Sequence, residues 1–239
     1  MIRTVVVDIE GTTSSLDHVR TVLFPYSRAR IGAWLSRPEP AVLRILDDVR
    51  RQTGRPTASV DEIAELLRGW IDADVKAVPL KNLQGLIWAH GYACGELTAH
   101  VYDDVPQALR NWVATGRPVY VYSSGSVLAQ RSWFQHTQHG DLRPYLSGCF
   151  DIPAVGAKQD ADSYRAIARA LDLGAADIAF LSDIRAELDA SRDAGIWPVY
   201  VRRGHTLPRL PDHVTITTFD QLDLSGDKPR LRQEVPDAR

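Results

Sequence analysis

Cysteine is scarce in this 239-residue sequence, which contains only Cys94 and Cys149. The two residues lie far apart and in no spacing that is typical of a metal site. A disulfide framework or a thiolate zinc site needs more cysteines at shorter intervals, so the sequence favours neither. We interpret both residues as buried or incidental thiols.

An excess of positive charge is also missing, because the formal net charge is −2. Proteins that bind nucleic acids or membrane surfaces usually present a strongly basic face, so we expect neither partner and favour a small-molecule substrate. No apolar run reaches the length needed to cross a membrane. The N-terminus runs into a strand without a basic region and an apolar core, which predicts a cytoplasmic protein.

The composition is that of a globular protein, with 44% hydrophobic and 24% charged residues. Between residues 14 and 97, apolar residues recur at helical spacing and form three apolar stripes. The stripes are Val42, Ile45, Leu46 and Val49, then Ile63, Leu66, Leu67, Trp70 and Ile71, then Leu80, Leu83, Leu86, Ile87 and Trp88. Ser59 with Glu62 forms a capping-box signature before the second stripe. We therefore predict an inserted all-helical cap over residues 14–97. The alternative is that these helices only cover a sheet face.

After residue 100, helical and strand-like patterns alternate, as they do in an α/β core. The predicted elements are strands at 118–122, 178–181 and 198–201, a candidate strand at 214–217, and helices at 106–115, 127–138, 160–171 and 185–194. Together with the first strand they predict a doubly wound, mostly parallel sheet. The core would comprise residues 1–13 and 98–224. Residues 225–239 contain few large apolar side chains and are expected to form a loose tail.

The stretch of residues 4–13 reads TVVVDIEGTT, and its three valines favour a strand buried on both faces of a parallel sheet. Asp8 and Glu10 follow, and they would point the same way if the extended geometry continues that far. Gly11 then allows a sharp turn. Ligands bind beyond the carboxyl ends of such strands, and two acids there need a metal or hydrogen bonds. The alternative is an acid that caps the next loop.

Three further groups of polar residues lie at element boundaries. Ser123 and Ser124 precede a helix whose free N–H groups would suit a phosphate, and the alternative is that Ser124 or Ser126 is only an N-cap. Lys158 precedes another helix, where a positive charge is unfavourable unless an anion balances it, and ordinary solvation is the alternative. Asp183 ends an apolar strand, with Glu187 one helical turn further on, and an N-cap is again the alternative.

The order of these four groups resembles the motifs of the haloacid dehalogenase superfamily of phosphatases. The resemblance implies that Asp8 is the nucleophile that accepts the phosphoryl group, and that Asp8 and Asp183 hold Mg²⁺. It also implies that Lys158 balances the accumulated negative charge. Without the metal and the lysine, a carboxylate attacking a phosphate dianion would meet like-charge repulsion.

Glu10 narrows the resemblance, because most phosphatases of that superfamily have a second aspartate at this position. The sequence DIEGTT from Asp8 resembles the enolase-phosphatase family of methionine salvage. Further similar stretches are LFPY from Leu23, LQGLIW from Leu83, GY from Gly91, GEL from Gly95, YSSGS from Tyr122, GDL from Gly140 and FLSD from Phe180. The resemblance spans residues 4 to about 204. It implies that 2,3-diketo-5-methylthiopentyl-1-phosphate is enolised and then dephosphorylated to an acireductone.

The same resemblance assigns roles within the site. It implies one Mg²⁺ per monomer, with metal ligands at Asp8, Glu10 and Asp183 and substrate contacts at Ser123, Ser124 and Lys158. Asp8, Glu10 and Lys158 would be the catalytic groups. We expect Glu10 to shuttle the proton to the leaving oxygen, with its metal contact made by the carboxylate or by the backbone carbonyl. The base for the enolisation is not assigned, and we expect a monomer.

The sequence departs from the family pattern at two places. Ala89 and His90 stand where a more acidic or small pair is expected, and Arg203 and His205 stand where proline and asparagine are expected. These departures concern the fit of the substrate more than the phosphoryl chemistry.

Two classes of alternative function stay open at this point, other enzymes and a regulatory module. The chain could be a general sugar or organic phosphatase, or a dehalogenase that uses Asp8 against carbon, because fold and nucleophile do not fix the substrate. It could also be a regulatory module, resembling a response receiver, that accepts a phosphoryl group without turnover. A receiver, however, has its acceptor after a middle strand and lacks a helical insertion of this size.

Overall fold

The computed structural model describes residues 1–204, 210 and 212–232, so the expectation for His205 falls outside the described residues. The chain divides into two compact units. One unit comprises Met1–Ser15 and Ala99–Arg239, and the other comprises Leu16–Thr98. Within the part of the chain that is described, no helix is long and apolar enough to cross a membrane.

The first unit contains a six-stranded parallel sheet, as far as its residues are described. Its strands are β1 Thr4–Val7, β2 Val119–Tyr122, β3 Gly148–Phe150, β4 Ile178–Ser182, β5 Trp197–Val201 and β6 Val214–Ile216. Their order across the sheet is β3-β2-β1-β4-β5-β6, and every neighbouring pair is parallel. The order runs outward from β1 in both directions, so the chain reverses its direction of winding between β1 and β4. The predicted doubly wound parallel sheet is confirmed.

Strand β1 lies in the middle of the sheet and is fully covered. Val5, Val6 and Val7 are each at most 1% exposed. They pair in register with β2 on one side, where Val7 faces Val121, and with β4 on the other, where Val7 faces Leu181. The prediction from the valine run is therefore confirmed. Strand β3 was missed, because three residues that include a glycine are too few to show a period.

The second unit is built from helices. They are α1 Leu16–His18, a π-helical turn Val19–Leu23, α2 Phe24–Leu35, α3 Pro40–Thr53, α4 Val60–Asp72 and α5 Val78–Ala93. The three predicted stripes lie on α3, α4 and α5, and their buried members form one core. The capping box is present, because Ser59 Oγ accepts from the Glu62 amide at 3.2 Å and the Glu62 carboxylate accepts from the Ser59 amide at 2.8 Å. Helical periodicity thus predicted the helices and their buried faces.

Helices also connect the strands of the first unit. They are α6 Val105–Ala114, α7 Val127–Gln135, α8 Ile152–Val155, α9 Ala161–Ala170 and α10 Arg185–Asp193, with short 3-10 turns at Arg143–Tyr145, Ala175–Asp177 and Phe219–Gln221. Part of the segment expected to be a loose tail is ordered, since β7 Leu222–Asp223 pairs antiparallel with β8 Arg230–Leu231. An ion pair of 2.8 Å between Arg230 and Asp223 joins the two strands. Residues 233–239 lie outside the described residues.

The core of the helical unit should respond strongly to a cavity. Leu67 on α4 is fully buried, so Leu67→Ala should lower the free energy of unfolding by about 2–5 kcal/mol. Urea denaturation followed by far-ultraviolet circular dichroism measures this loss. Leu43→Ala on α3 is the matched control, because Leu43 is 50% exposed and should lose less than about 1 kcal/mol. Equal losses in the two variants would contradict the assigned core.

Candidate active site

The loop after β1 turns immediately beyond Asp8. The Asp8 amide still donates to the Leu181 carbonyl at 3.0 Å, which continues the ladder with β4. The next carbonyl, that of Ile9, already accepts from amides three to five residues ahead, those of Thr12, Thr13 and Ser14 at 2.9–3.2 Å. The extended geometry therefore ends at Asp8, so the condition under which strand alternation would point Glu10 the same way is not met. Asp8 is buried, whereas Glu10 is exposed.

Gly11 brings the loops after β1 and β4 into close contact. Its φ of +80° lies in the region that favours glycine, as the predicted sharp turn requires. A Cβ on Gly11 would stand 2.1 Å from Oδ2 of Asp183, so no larger residue fits beside that carboxylate. Thr12 adds a hydrogen bond, because its hydroxyl accepts from the Asp183 amide at 3.1 Å. The acids after β1 and β4 are thus held at the point where the sheet reverses its winding.

Lys158 lies in the loop before α9 and is not solvated. Its ammonium group makes direct ion pairs with Asp8 and, at 2.8 Å, with Glu187, and its side chain is 9% exposed. The Lys158 carbonyl accepts from the Tyr164 hydroxyl at 2.8 Å. Burial alone would lower the pKa of Lys158, but the negative charges of Asp8 and Glu187 outweigh burial and raise it above its usual value. The lysine therefore carries its charge inside the site.

The carboxylates outnumber this single cation. Asp8, Asp183 and Glu187 are all partly or fully buried around Lys158, which leaves an excess of negative charge when all three are ionised. Burial, and then the charge of Asp8, raise the pKa of Asp183 to about 7. Burial and the charge of Asp8 also raise the pKa of Glu187, against the opposing effect of Lys158. A bound cation would relieve this repulsion.

The residues present fit a hard cation. Oδ1 of Asp183 is buried and accepts no hydrogen bond from any described residue, so it can serve as a ligand. Over the described ranges, no three His, Cys, Asp or Glu side chains are grouped so that they could hold a metal ion together. The predicted ligands Asp8, Glu10 and Asp183 therefore do not meet as three side chains. Mg²⁺ commonly binds through one or two carboxylates and completes its shell with other oxygens, so two carboxylates suffice.

The predicted serines lie at the end of β2, the strand beside β1. Ser123 is buried, and its hydroxyl accepts from the Gly125 amide at 3.3 Å, whereas Ser124 is exposed. Neither is the N-cap of α7, because that position is taken by Ser126, whose hydroxyl accepts from the Ala129 amide at 3.3 Å. The capping alternative is thus correct for Ser126 and wrong for Ser124.

A comparison with known protein families identifies the fold. A family model described as haloacid dehalogenase-like hydrolase matches residues 2–195. The chain belongs to the haloacid dehalogenase-like hydrolases. This family membership agrees with the parallel sheet and with the acids and the lysine at its carboxyl edge, and the superfamily resemblance drawn from the sequence is confirmed.

Individual relatives show which members of this family the chain is similar to. The chain is 52% identical over 204 residues to a protein of Streptomyces avermitilis named Enolase-phosphatase E1, covering 84% of this chain and 85% of that protein. A protein of the same name from Nocardia farcinica is 47% identical over 227 residues, or 94% and 98% of the two chains. The crystal structure of the UTR4 protein from Saccharomyces cerevisiae has 31% identity and a TM-score of 0.77, covering 92% and 99%. The resemblance to the enolase-phosphatase family is confirmed.

Glu187, noted in the sequence one helical turn after Asp183, is a residue of this haloacid dehalogenase-like site to which sequence reasoning assigned no role. It is 7% exposed, and besides the lysine it contacts Ser182, whose hydroxyl donates to its carboxylate at 2.8 Å. Its neighbours on the buried face of α10 are Leu188, Ala190 and Ser191. An acid on the buried face of an amphipathic helix was the available signal, because such a group needs a partner.

Loss of the lysine charge should destabilise the protein. Lys158→Met leaves the Asp8 and Glu187 carboxylates buried without their cation, and the free energy of unfolding should fall by about 3–5 kcal/mol. Urea denaturation in the presence of a chelator measures it. Lys76→Met removes an exposed ion pair with Asp74 and should cost less than about 0.5 kcal/mol. A Lys158→Met protein as stable as this control would contradict the buried ion pairs.

Proposed function

We propose that this protein is a bifunctional enolase-phosphatase that acts in methionine salvage. It converts 2,3-diketo-5-methylthiopentyl-1-phosphate into the acireductone 1,2-dihydroxy-3-keto-5-methylthiopentene and inorganic phosphate. The observation that carries the proposal is the buried ion pair of Asp8 with Lys158, beside Asp183 at the carboxyl edge of the sheet. The relatives named Enolase-phosphatase E1 support the enolase half.

Asp8 is the proposed nucleophile of the phosphatase half. One of its carboxylate oxygens attacks phosphorus, the bond between phosphorus and the substrate oxygen breaks, and an aspartyl phosphate forms. Water then attacks the phosphorus of that intermediate, which releases inorganic phosphate and regenerates the carboxylate. Lys158 holds Asp8 in place and offsets the repulsion between the carboxylate and the phosphate dianion.

Glu10 is the proposed proton shuttle. It lies two residues from Asp8, and its exposed side chain can exchange protons with water. In the first step it donates a proton to the leaving oxygen, and it then accepts a proton from the attacking water. Ser123, Ser124 and Lys158 are proposed to bind the substrate phosphate, since their hydroxyl, amide and ammonium groups lie beyond neighbouring parallel strands.

One Mg²⁺ per monomer is the proposed cofactor. Asp8 and Asp183 would hold it through their carboxylates, and Glu10 through its carboxylate or its backbone carbonyl. When bound, the ion neutralises charge on the phosphoryl group and polarises a substrate carbonyl, which makes the neighbouring proton easier to remove. We also propose that the protein acts as a monomer, and that Leu16–Thr98 is the inserted cap domain of the enzyme.

The proposal is tested by following two products from one substrate. Purified protein is mixed with the diketone phosphate, and the ultraviolet absorbance of the conjugated enol is recorded together with free phosphate. Both signals are expected. Phosphate from generic esters without an enol signal would indicate a plain phosphatase, and halide release from haloacids would indicate a dehalogenase. No turnover of any substrate would favour a regulatory module.

Chelation should remove both signals. With three carboxylates around one lysine, Asp8 and Asp183 lose their compensating cation when Mg²⁺ is removed. We therefore expect enol formation and phosphate release to fall together in excess chelator, and to return together when Mg²⁺ is added back. Continued phosphate release without divalent metal would contradict the proposed cofactor.

Replacement of Asp8, the proposed nucleophile, should abolish phosphate release without changing the fold. Asp8→Asn should lower the rate of phosphate release at least about a thousandfold, because an amide oxygen is a poor nucleophile. Circular dichroism should remain that of the wild type. Asp177→Asn is the control, since Asp177 precedes β4 at the opposite edge of the sheet and should retain full activity. Turnover at the wild-type rate by Asp8→Asn would exclude Asp8 as the nucleophile.

A further inference from the structure

Arg203, one of the departures from the family pattern, is buried at the carboxyl edge of the sheet. It follows β5, and its side chain is 6% exposed. Nε donates to the Thr12 carbonyl at 2.8 Å. Nη1 donates to both carboxylate oxygens of Asp104 at 2.9 and 2.8 Å, and to the Thr217 carbonyl at 3.1 Å. The guanidinium therefore joins the loop after β1 to the start of α6 and to the end of β6.

Two aromatic rings restrict this guanidinium. Its central carbon lies 4.4 Å from the ring centre of Tyr102 and 4.6 Å from that of Phe219. Asp104 is restrained as well, because its Oδ2 also accepts from the Phe219 amide at 2.6 Å. A planar group packed near two rings and paired through fixed donors has little freedom to move, so the carbonyl that it binds is fixed in position.

That carbonyl belongs to Thr12, which lies in the loop after β1 and contacts the loop after β4. The Thr12 hydroxyl accepts from the Asp183 amide, and the preceding Gly11 packs against the Asp183 carboxylate. The next residue, Thr13, donates through its hydroxyl to the Asp8 carbonyl at 3.0 Å. A shift of the Thr12 carbonyl would therefore change the separation of Asp8 and Asp183.

We infer that Arg203 is a positioning residue, which fixes the separation of Asp8 and Asp183 through Thr12. The inference rests on the proposed function, in which these two carboxylates act together. Lysine cannot replace Arg203, because it lacks Nε and the planar fork that reaches the Thr12 and Thr217 carbonyls and Asp104 simultaneously. The proline that the family resemblance predicts here has no side-chain donor, so this contact is a feature of the present sequence.

Arg203→Lys is the test, and Arg117→Lys is its matched control. Arg117 also donates through Nε to a backbone carbonyl, that of Ile2 at 3.2 Å, but it precedes β2 at the opposite edge of the sheet. We expect kcat for phosphate release to fall about 10- to 100-fold in Arg203→Lys, with KM within about threefold of the wild type. Arg117→Lys should keep the wild-type kcat.

Binding of Mg²⁺ gives a readout that needs no turnover. Calorimetric titration of each protein with Mg²⁺ alone should show an affinity about tenfold lower in Arg203→Lys and unchanged in Arg117→Lys. Wild-type affinity together with wild-type kcat in Arg203→Lys would overturn the inference, and so would equal losses in both variants. A wild-type enzyme inactive on the diketone phosphate would refute the proposed function alone, because the titration still decides the role of Arg203.

Thr12 provides a second pair of variants in case Arg203→Lys does not fold. Thr12→Val removes the hydroxyl that accepts from the Asp183 amide, and Thr12→Ser keeps it. We expect kcat and Mg²⁺ affinity to fall in Thr12→Val and to be restored in Thr12→Ser. Where Arg203→Lys folds, we combine it with Thr12→Val. The double variant should lose no more kcat and Mg²⁺ affinity than the more damaging single variant, because both substitutions act through the position of Thr12 against Asp183. Wild-type values in Thr12→Val would overturn the inference.

Discussion

The ammonium group of Lys158, buried between the carboxylates of Asp8 and Glu187, is the interaction on which the site depends. Removing charged groups from water costs several kcal/mol for each ion, and only close pairing offsets this cost. Asp8 follows β1, Lys158 lies in the loop before α9, and Glu187 lies on α10. Their contact therefore requires the first unit to be folded around its sheet, so the chemistry and the fold depend on each other.

The parallel sheet explains why groups so distant in sequence meet. Every strand in it ends at the same edge, and the chain reverses its direction of winding between β1 and β4, which is where open α/β sheets generally bind their ligands. Asp8 and Asp183 follow these two adjacent strands. Gly11 permits the approach, since any side chain at that position would occupy the space of the Asp183 carboxylate. A bound cation would offset the excess negative charge of Asp8, Asp183 and Glu187 at this edge.

Short-range patterns predicted much of the fold. They failed where the position of a side chain depends on contacts that the local pattern does not contain. The valines of β1 and the apolar stripes of α3, α4 and α5 are periodic, and their burial follows from that period. Strand alternation does not extend to Glu10, because the loop turns at Ile9, whose carbonyl accepts hydrogen bonds from three amides. The buried position of Glu187 depends on Lys158, which lies 29 residues earlier in the chain. No local pattern contains such a contact.

The sequence by itself determined the strand at Val5, the helical period of residues 14–97, and the presence of acids, serines and a lysine at element ends. These features follow from side-chain alternation, helix periodicity and residue chemistry, which act between near neighbours. Tertiary structure alone decided that Lys158 contacts both Asp8 and Glu187, that Gly11 lies against Asp183, and that Arg203 binds the Thr12 carbonyl. Such contacts are set by strand order and by burial of charge, because only the assembled sheet brings distant segments within hydrogen-bonding distance.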